Sequence, residues 1–525
     1  MFIKYLSLSA HVENASVILC TAHCASLMLL ESATKRRLTT KGPVSSSANN
    51  IIDRACKRMI ADMPSGVLHG LSSGFSRLCS KPGVLTCGSI CSGSGMGELS
   101  VHYALQRVLK VCPTNVSIKM EARFVCELVD DKANWLASMN LSSPGMAHFK
   151  DAQELGASKA FCRRAGRKIE VPGVDLVHAG VSCKDLSQMN DAAAENLCII
   201  IDWLKTLSIE DDLASESVPD GTTAITLLAT LKYVLRHKPT IIMIENVKAF
   251  LMLKDELCRL FREMGYAVHF VSVNSNTFGV PQSRPRIYLF ACNRLGLPEM
   301  PHIWSPEFLA FQTRWGDRID RSLTSFKQTS CADISDFLLP HSSADLKGFV
   351  HELSMPTELP EETVKWPDRH TELFKSIGCP GRTGRRQRKA FRSCLSDEMS
   401  QLMFDRLCVR QQEIVIFFSI LWTRAGVSCE WAVDTNQNLW RLGKEPTMDM
   451  VPCLTGTSRI WLVRSQHLMM GEECLGLQGI NRNDFHGWHK FPNSLLWSLA
   501  GNAFTGGVAA AVLYAGVGAG TLLES

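Results

Sequence analysis

Two rhythms of hydrophobic and polar positions run through the middle of this chain. From Lys81 onward, short apolar runs alternate with amphipathic stretches of helical spacing, the pattern of a parallel sheet with helices on both faces. Val84 to Ile90, Arg123 to Cys126, Val174 to His178, Ile241 to Ile244, Ala267 to Val273 and Ile287 to Ala291 read as strands. Thr222 to His237 (TTAITLLATLKYVLRH) reads as a helix that Pro239 ends. After residue 296 the alternation is lost. An acidic, proline-rich stretch with Glu352, Glu358, Glu361 and Glu362 gives way to Arg382, Arg385, Arg386, Arg388, Lys389 and Arg392, with no acid among them. A long helix is predicted next, with Met399, Leu402, Met403, Leu407, Ile414, Phe417, Phe418 and Leu421 at helical spacing. This part reads as a separate inserted domain, and the chain shows no internal repeat.

Composition narrows the picture only a little. A length of 525 residues fits about three domains, or one large α/β enzyme with an insert. Apolar residues at 46% and charged residues at 20% are ordinary for a globular protein. No uninterrupted apolar run approaches the ~20 residues of a membrane helix, so no membrane partner is expected. A net charge of +5 is too small to announce a nucleic-acid partner, and local clustering has to carry that argument. The 20 cysteines include no CxxC pair, and Cys20 with Cys24 and Cys87 with Cys91 lack a matching His/Cys set. Reduced thiols in an intracellular compartment and no structural metal are the expectation. Residues 1–80 are basic and serine-rich, with Lys35, Arg36, Arg37 and Lys41 after an interrupted apolar stretch, which fits either an organelle transit peptide or a disordered tail.

Candidate chemistry centres on DLVHAGVSCKDLS, Asp175 to Ser187. An apolar run breaks at Gly180 and delivers Cys183 at the tip, where open α/β sheets bind ligands. A lone cysteine is ordinarily inert packing, so Cys183 needs partners. ICSGSGMGELS, Ile90 to Ser100, is a glycine-rich turn between a strand and a helix, a weak signal for a nucleotide-like ligand at a helix N-terminus. Glu127 ends the next strand, where a carboxylate can accept both hydroxyls of a ribose, and Asp151 follows in order for an adenine amino group. Glu245 emerges from the apolar run IIMIENV. Burial there would raise its pKa and keep a proton to donate, although a helix-capping acid reads equally well. In FGVPQSRPRIYLFA, Arg284 and Arg286 alternate and so point the same way, which is costly without a polar or anionic partner.

Together these residues resemble the DNA (cytosine-5) methyltransferases, with motifs in that family's order across residues 83–513. SGSGM at Ser92 resembles the S-adenosylmethionine loop, GVSCKDLS the nucleophile motif, and QSRPR at Gln282 the Gln-x-Arg-x-Arg motif. ENV at Glu245 matches outright. PCLTGTS at Pro452 and EECLGLQG at Glu472 resemble the segment that re-enters the catalytic domain, and GNAF at Gly501 the closing motif. The resemblance implies an α/β, Rossmann-like S-adenosylmethionine-dependent methyltransferase domain with an inserted target-recognition domain. It places an extension at 1–80, the catalytic domain at 81–296, target recognition at 297–450 and a completing segment at 451–525. It implies S-adenosyl-L-methionine as cofactor, held by Cys91, Ser92, Gly93, Gly95, Glu127, Leu128, Asp151, Ala152, Ser182, Asn502 and Ala503. It implies Cys183, Glu245, Arg286 and, less directly, Arg284 as catalytic groups, and contacts to substrate from Gln282, Asn246, Ser187, Arg385, Arg386 and Arg388. Cys183 would add to carbon 6 of cytosine while Glu245 engages ring nitrogen 3.

The chain also departs from the family. Ser182 and Lys184 stand where the nucleophile motif usually has proline and glutamine, and Cys91 and Ser94 replace larger groups in the cofactor loop. The implied partner is double-stranded DNA, and a nuclear location goes with it, or an organelle if the N-terminus is a transit peptide. Transfer RNA is the alternative substrate, but the short Cys-Phe-Thr motif of RNA-directed members is absent. A catalytically silent cofactor-binding scaffold is a third reading. A small-molecule methyltransferase fits less well, because it has no need of such an insert. Oligomeric state is not legible.

Overall fold

The structure, a computed structural model, describes residues 51–61, 63, 65–111, 118–142, 144–188, 190–213, 218–353, 366–437 and 447–521. The chain divides into two compact units. One comprises Asn49–Phe337, Cys453–Gly456 and Gly471–Ser525, the other Leu338–Pro452 and Thr457–Met470.

The first unit begins with helices α1 (Ile51–Ala61) and α2 (Ser65–Leu78). Nine strands follow: β1 (Val84–Ile90), β2 (Lys119–Cys126), β3 (Ala147–Phe149), β4 (Lys159–Cys162), β5 (Arg167–Glu170), β6 (Leu176–Ala179), β7 (Ile241–Asn246), β8 (Tyr266–Asn274) and β9 (Pro285–Asn293). They form one sheet in the order β5-β4-β3-β2-β1-β6-β7-β9-β8. Strands β3, β2, β1, β6 and β7 are parallel, and those outside them antiparallel. Helices α3 (Met96–Val111), α4 (Asp130–Ala137), α5 (Ala193–Thr206), α6 (Thr222–His237), α7 (Lys254–Glu263) and α8 (Glu307–Phe326) connect and flank the strands. The chain moves outward from β1 to β2 and β3, then returns to lay β6 on the other side of β1. That reversal is a topological switch point, and it opens a crevice outside the carboxyl ends of β1 and β6.

All six strands read from the sequence are present, but the last two are antiparallel. Only a short turn and the QSRPR segment join β8 to β9, and a parallel return needs a crossover of a dozen residues or more. The extension expected to end at residue 80 is also different. Ile52, Cys56 and Phe75 are fully buried, and α1 and α2 pack against the α3 side of the sheet, so residues 51–78 belong to this unit. Residues 1–50, which carry the basic, serine-rich composition, lie outside the described residues. The insert likewise starts later than 297. The Phe311, Trp315 and Ile319 face of α8 is buried, and its Gln312 Oε1 accepts a hydrogen bond from Val268 N of β8 at 3.4 Å.

The second unit carries α9 (Ala344–Glu352), α10 (Trp366–Ser376), α11 (Arg385–Ser393), α12 (Glu398–Asp405) and α13 (Val409–Ala425). A four-stranded antiparallel sheet, in the order β11-β10-β12-β13, is made by β10 (Trp431–Asp434), β11 (Thr447–Met448), β12 (Ile460–Leu462) and β13 (His467–Leu468). The single long helix expected around Met399–Leu421 is two helices. Asp397 caps the first by accepting from Ser400 N at 2.8 Å, and Cys408 restarts the second by donating its N–H to Gln411 Oε1 at 2.9 Å. Glu358, Glu361 and Glu362 of the acidic stretch lie outside the described residues.

The chain then re-enters the first unit as α14 (Gly471–Gln478), α15 (Asn493–Asn502) and α16 (Gly506–Thr521). The stretch Asn493–Gly520 is apolar and long enough by composition to cross a membrane, contrary to the run-length reading, yet its most apolar 18-residue window is buried inside the protein. Its small residues let α16 pack closely against α1, α2, α3 and α8.

Candidate active site

The thiol sits on the loop that leaves β6 at the switch point. Gly180 N donates to Ile90 O of β1 at 3.0 Å, which fastens the start of this loop to the glycine-rich turn. Ser182 N donates to Thr226 Oγ1 at 3.1 Å, and the Ser182 hydroxyl lies 2.7 Å from Thr222 Oγ1. Asp185 caps α6, its Oδ2 accepting from Thr223 N at 2.7 Å. From β7, Asn246 Nδ2 donates to Val181 O at 2.9 Å. Cys183 is half-buried at the tip. Serine thus replaces the rigidity of a proline with hydroxyl contacts to α6. Ser182 and Asn246 hold the Cys183 loop in place, and Asn246 is 1% exposed. Lys184 is exposed and Ser187 half-buried on the same loop.

Glu245, at the carboxyl end of β7, pairs across the sheet with Tyr288 of β9, which brings Arg286 beside it. Arg286 Nε lies 2.8 Å from Glu245 Oε1, an ion pair rather than an aligned hydrogen bond. Glu245 is therefore not a carboxyl in apolar surroundings, as its strand suggested. Burial and then the Glu245 charge push the Cys183 thiol up, while Arg286 and Arg284 pull it down less strongly. The three groups form one electrostatic unit. Arg284 differs from Arg286. It is 3% exposed and donates to Leu454 O at 2.8 Å, Gly501 O at 3.0 Å and Ala503 O at 2.7 Å. It joins the returning segments to the sheet.

Gln282 is also structural. It is fully buried, its Oε1 accepts from Gln478 Nε2 at 3.0 Å, and Gln478 Oε1 accepts from Thr505 Oγ1 at 2.9 Å. The segments QSRPR, EECLGLQG and GNAF thus meet in one buried network. That these three segments hold one another is not visible in their residue types or spacing. The fit is close at Gly501, where a Cβ would stand 2.0 Å from Thr455 C. Sequence reasoning also missed Cys453, whose Sγ lies 3.6 Å from Arg286 Nη1. Its signal was a thiol inside PCLTGTS.

Across the crevice, the turn after β1 has Cys91, Gly93 and Gly95 at φ values of 56°, 52° and 78°. Glycine adopts that region without the penalty an L side chain incurs, and Cys91 carries such strain of about 1 kcal/mol. Glu127 closes the turn, with Oε2 accepting from Gly93 N and Oε1 from Val129 N, both at 3.0 Å. Leu128 and Val129 beside it are 62% and 48% exposed. Asp151 caps a short 3-10 turn through Gln153 N, with Ala152 half-buried beside it. A Cβ on Gly93 would lie 4.0 Å from Asn502 O, so the closing motif borders the turn. Asn502 is exposed, and Ala503 is buried with its carbonyl on Arg284.

Beneath this turn Glu98 is fully buried, with one oxygen on Ser89 Oγ, which also meets Ser92 Oγ. Its other oxygen has no partner, and neither ring nitrogen of buried His178 has one. Burial raises Glu98 to about 7 and lowers His178 to about 3. Between about pH 4.5 and 7 the folded protein keeps the Glu98 proton that the unfolded chain has lost. This group therefore makes stability fall as pH rises through that window, and His178 gives the opposite slope from about 3 to 6.5. Glu98→Gln is expected to gain on wild type between pH 5 and 8 by up to ~3 kcal/mol. Urea midpoints at both pH values check this, and an unchanged difference between the two proteins would disprove it.

In the second unit the arginine cluster splits. Glu413 is fully buried and receives His370 Nδ1 at 2.8 Å and Arg382 Nε at 3.1 Å, with Arg388 Nη1 at 3.8 Å. Arg388 also donates to Thr383 O at 2.7 Å, and Arg392 pairs with Asp405. Arg388, expected to contact substrate, is thus turned inward. Arg385, Arg386 and Lys389 are exposed along α11.

A switch-point thiol, with a glutamate and an arginine from neighbouring strands and a glycine-rich turn after β1, stands on a Rossmann-like α/β sheet. Residues 218–340 match the profile of the C-5 cytosine-specific DNA methylases. DNA (cytosine-5-)-methyltransferase DMT5 of Cryptococcus neoformans is 24% identical over 241 residues, 46% of this chain and 9% of that protein. Type II methyltransferase M.BanI of Aneurinibacillus aneurinilyticus is 40% identical over 76 residues, 13% of this chain and 18% of that protein. Among solved structures, the S. pombe Dnmt2 methyltransferase aligns with a TM-score of 0.39 and 12% identity, covering 82% of this chain and 97% of that one. Residues 218–340 thus resemble the DNA (cytosine-5) methyltransferases, and the matches to these two curated relatives span 9% and 18% of their lengths.

Proposed function

We propose that this protein transfers a methyl group from S-adenosyl-L-methionine to carbon 5 of cytosine in duplex DNA, with Cys183 as nucleophile. The observation that carries this reading is the convergence of Cys183, Glu245 and Arg286 from β6, β7 and β9 at the switch point.

The residues around the glycine turn fit an adenosine cofactor. Gly93 and Gly95 let the backbone approach the ligand, and the Glu127 carboxylate has lone pairs left for ribose hydroxyls. Exposed Leu128 and Val129 supply an apolar platform, and Asp151 lies in order for an adenine amino group. When bound, the cofactor supplies an electrophilic methyl group on a sulfonium. Cys183 adds through sulfur to carbon 6 of the cytosine, and Glu245 donates to or protonates nitrogen 3, so that carbon 5 becomes nucleophilic. Arg286 holds Glu245 and offsets charge on the thiolate. Loss of the carbon 5 proton then expels the thiol and restores the ring. Because Cys183 is held up by burial and Glu245, the thiolate forms when the substrate engages Glu245.

The target base must leave the duplex, at a cost of a few kcal/mol that other contacts offset. The exposed Arg385, Arg386 and Lys389 fit phosphate contact, and a duplex-DNA substrate implies a nuclear location. Replacing each of the three by alanine is expected to reduce the slope of log K against log salt by about 0.9. Arg388→Ala should leave the slope alone and destabilise the second unit. Equal slopes for all four variants would refute the assignment.

The test of the reaction is trapping. Duplex DNA carrying 5-fluorocytosine, incubated with protein and cofactor, should leave a covalent adduct on Cys183 by mass spectrometry. An adduct on another residue, or a preference for transfer RNA run in parallel, would overturn the reading. No transfer to any nucleic acid would favour a silent scaffold.

A further inference from the structure

The reaction above leaves one thiol in the site unused. Cys453 lies on Cys453–Gly456, the short segment that returns to the catalytic unit ahead of the rest. Its Sγ is 3.7 Å from Arg284 Nη1 and 3.6 Å from Arg286 Nη1, both within hydrogen-bond reach for sulfur. Burial alone pushes this thiol up, but the two guanidiniums together outweigh it and the thiol is lowered, the opposite of Cys183. The seat is firm, because Arg284 is held by three carbonyls and Thr455 is pressed on Gly501. Two further observations point to an added oxygen. Arg284 Nε, on a residue 3% exposed, has no hydrogen-bond partner, and Cys453 itself is only half-buried. A thiol on a half-buried residue beside cations is the setting of oxidant-sensitive cysteines.

We propose that Cys453 is an oxidation site at which a hydroperoxide forms a sulfenic acid, and that this switches off the site Arg286 shares with Cys183 and Glu245. The second half rests on the function proposed above; the first does not. With hydrogen peroxide, the thiolate attacks one oxygen, an S–O bond forms, the O–O bond breaks, and hydroxide leaves and is protonated to water. Sulfur loses two electrons and the peroxide gains them. The new oxygen accepts from the guanidiniums and competes with Glu245 for Arg286. A small thiol reverses the change by attacking the sulfenic sulfur, releasing water and forming a mixed disulfide. A second thiol then returns Cys453 and departs as the disulfide.

The full chain is exposed to hydrogen peroxide, trapped with dimedone at successive times and mapped by mass spectrometry. Cys453 should label roughly tenfold faster than exposed Cys198 and ahead of Cys183. Labelling of Cys183 first, or of Cys453 no faster than Cys198, overturns the site. Methyl transfer should fall in step with labelling and recover with dithiothreitol, and in Cys453→Ser the ratio of treated to untreated transfer should stay near one. Labelling without loss of transfer overturns the switch. If the untreated protein transfers nothing while Cys453 still labels first, the methyltransferase reading fails and the oxidation site stands.

Discussion

Cys183→Ala is expected to lower methyl transfer to duplex DNA by at least ~10⁴-fold, about 5 kcal/mol of transition-state stabilisation. Without the sulfur no adduct forms at carbon 6, and carbon 5 of cytosine is not nucleophilic enough to be methylated. The fold should not suffer. The loop is held by Ser182, Asp185 and Asn246, none of which depends on the Cys183 side chain. Thermal unfolding of the variant should match wild type within a degree or two, and cofactor affinity by equilibrium dialysis should be unchanged. Transfer that survives in Cys183→Ala would remove the nucleophile assignment. Loss of cofactor affinity together with activity would mean the substitution disturbed the glycine turn, which meets this loop at Gly180 and Ile90. Glu245→Gln should fall less steeply, because the amide still hydrogen-bonds the ring while losing its pairing with Arg286.

Glu245 and Arg286 were legible because each stands inside a strongly apolar strand, and Cys183 because it follows one by a short loop, which brings all three to the same edge of the sheet. Arg284 was misread for a related reason. It precedes β9, which begins at Pro285, so strand alternation does not set where its side chain goes. Packing turned it to carbonyls far along the chain. Gln282, Asn246 and Arg388 show the same limit, since residue type marks a hydrogen-bonding group but not whether its partner is substrate or protein. Strands β4 and β5 (KAFC, RKIE) were missed because short, mostly polar edge strands carry little periodic signal. Helix α2 (SGVLHGLSSGFSRL) was missed because its glycines and serines read as loop, and only burial of Leu71 and Phe75 stabilises it as helix.

Glu413→Ala is expected to have the largest effect on stability in the second unit, about 3–5 kcal/mol. Glu413 is wholly buried, and its carboxylate is the common partner of His370, Arg382 and Arg388. Removing it leaves His370, itself 1% exposed, and two guanidiniums without their anion, at a desolvation cost no surface contact offsets. The Arg382 guanidinium, stacked 4.6 Å over Trp366, would keep its apolar contact while losing its charge partner. Glu413→Gln retains one acceptor and most of the volume, so its loss should be smaller than that of the alanine variant. Unfolding of two units need not be one transition, and scanning calorimetry should show the transition of this unit falling by roughly 10 °C while that of the catalytic unit stays in place. Arg382 and Arg388 lead into and stiffen α11, which presents Arg385, Arg386 and Lys389. DNA affinity should therefore fall with the unit's stability even though Glu413 carries the charge sign that repels phosphate. A rise in affinity on removing this buried acid would show that Glu413 acts through its field rather than by holding the arginines in place.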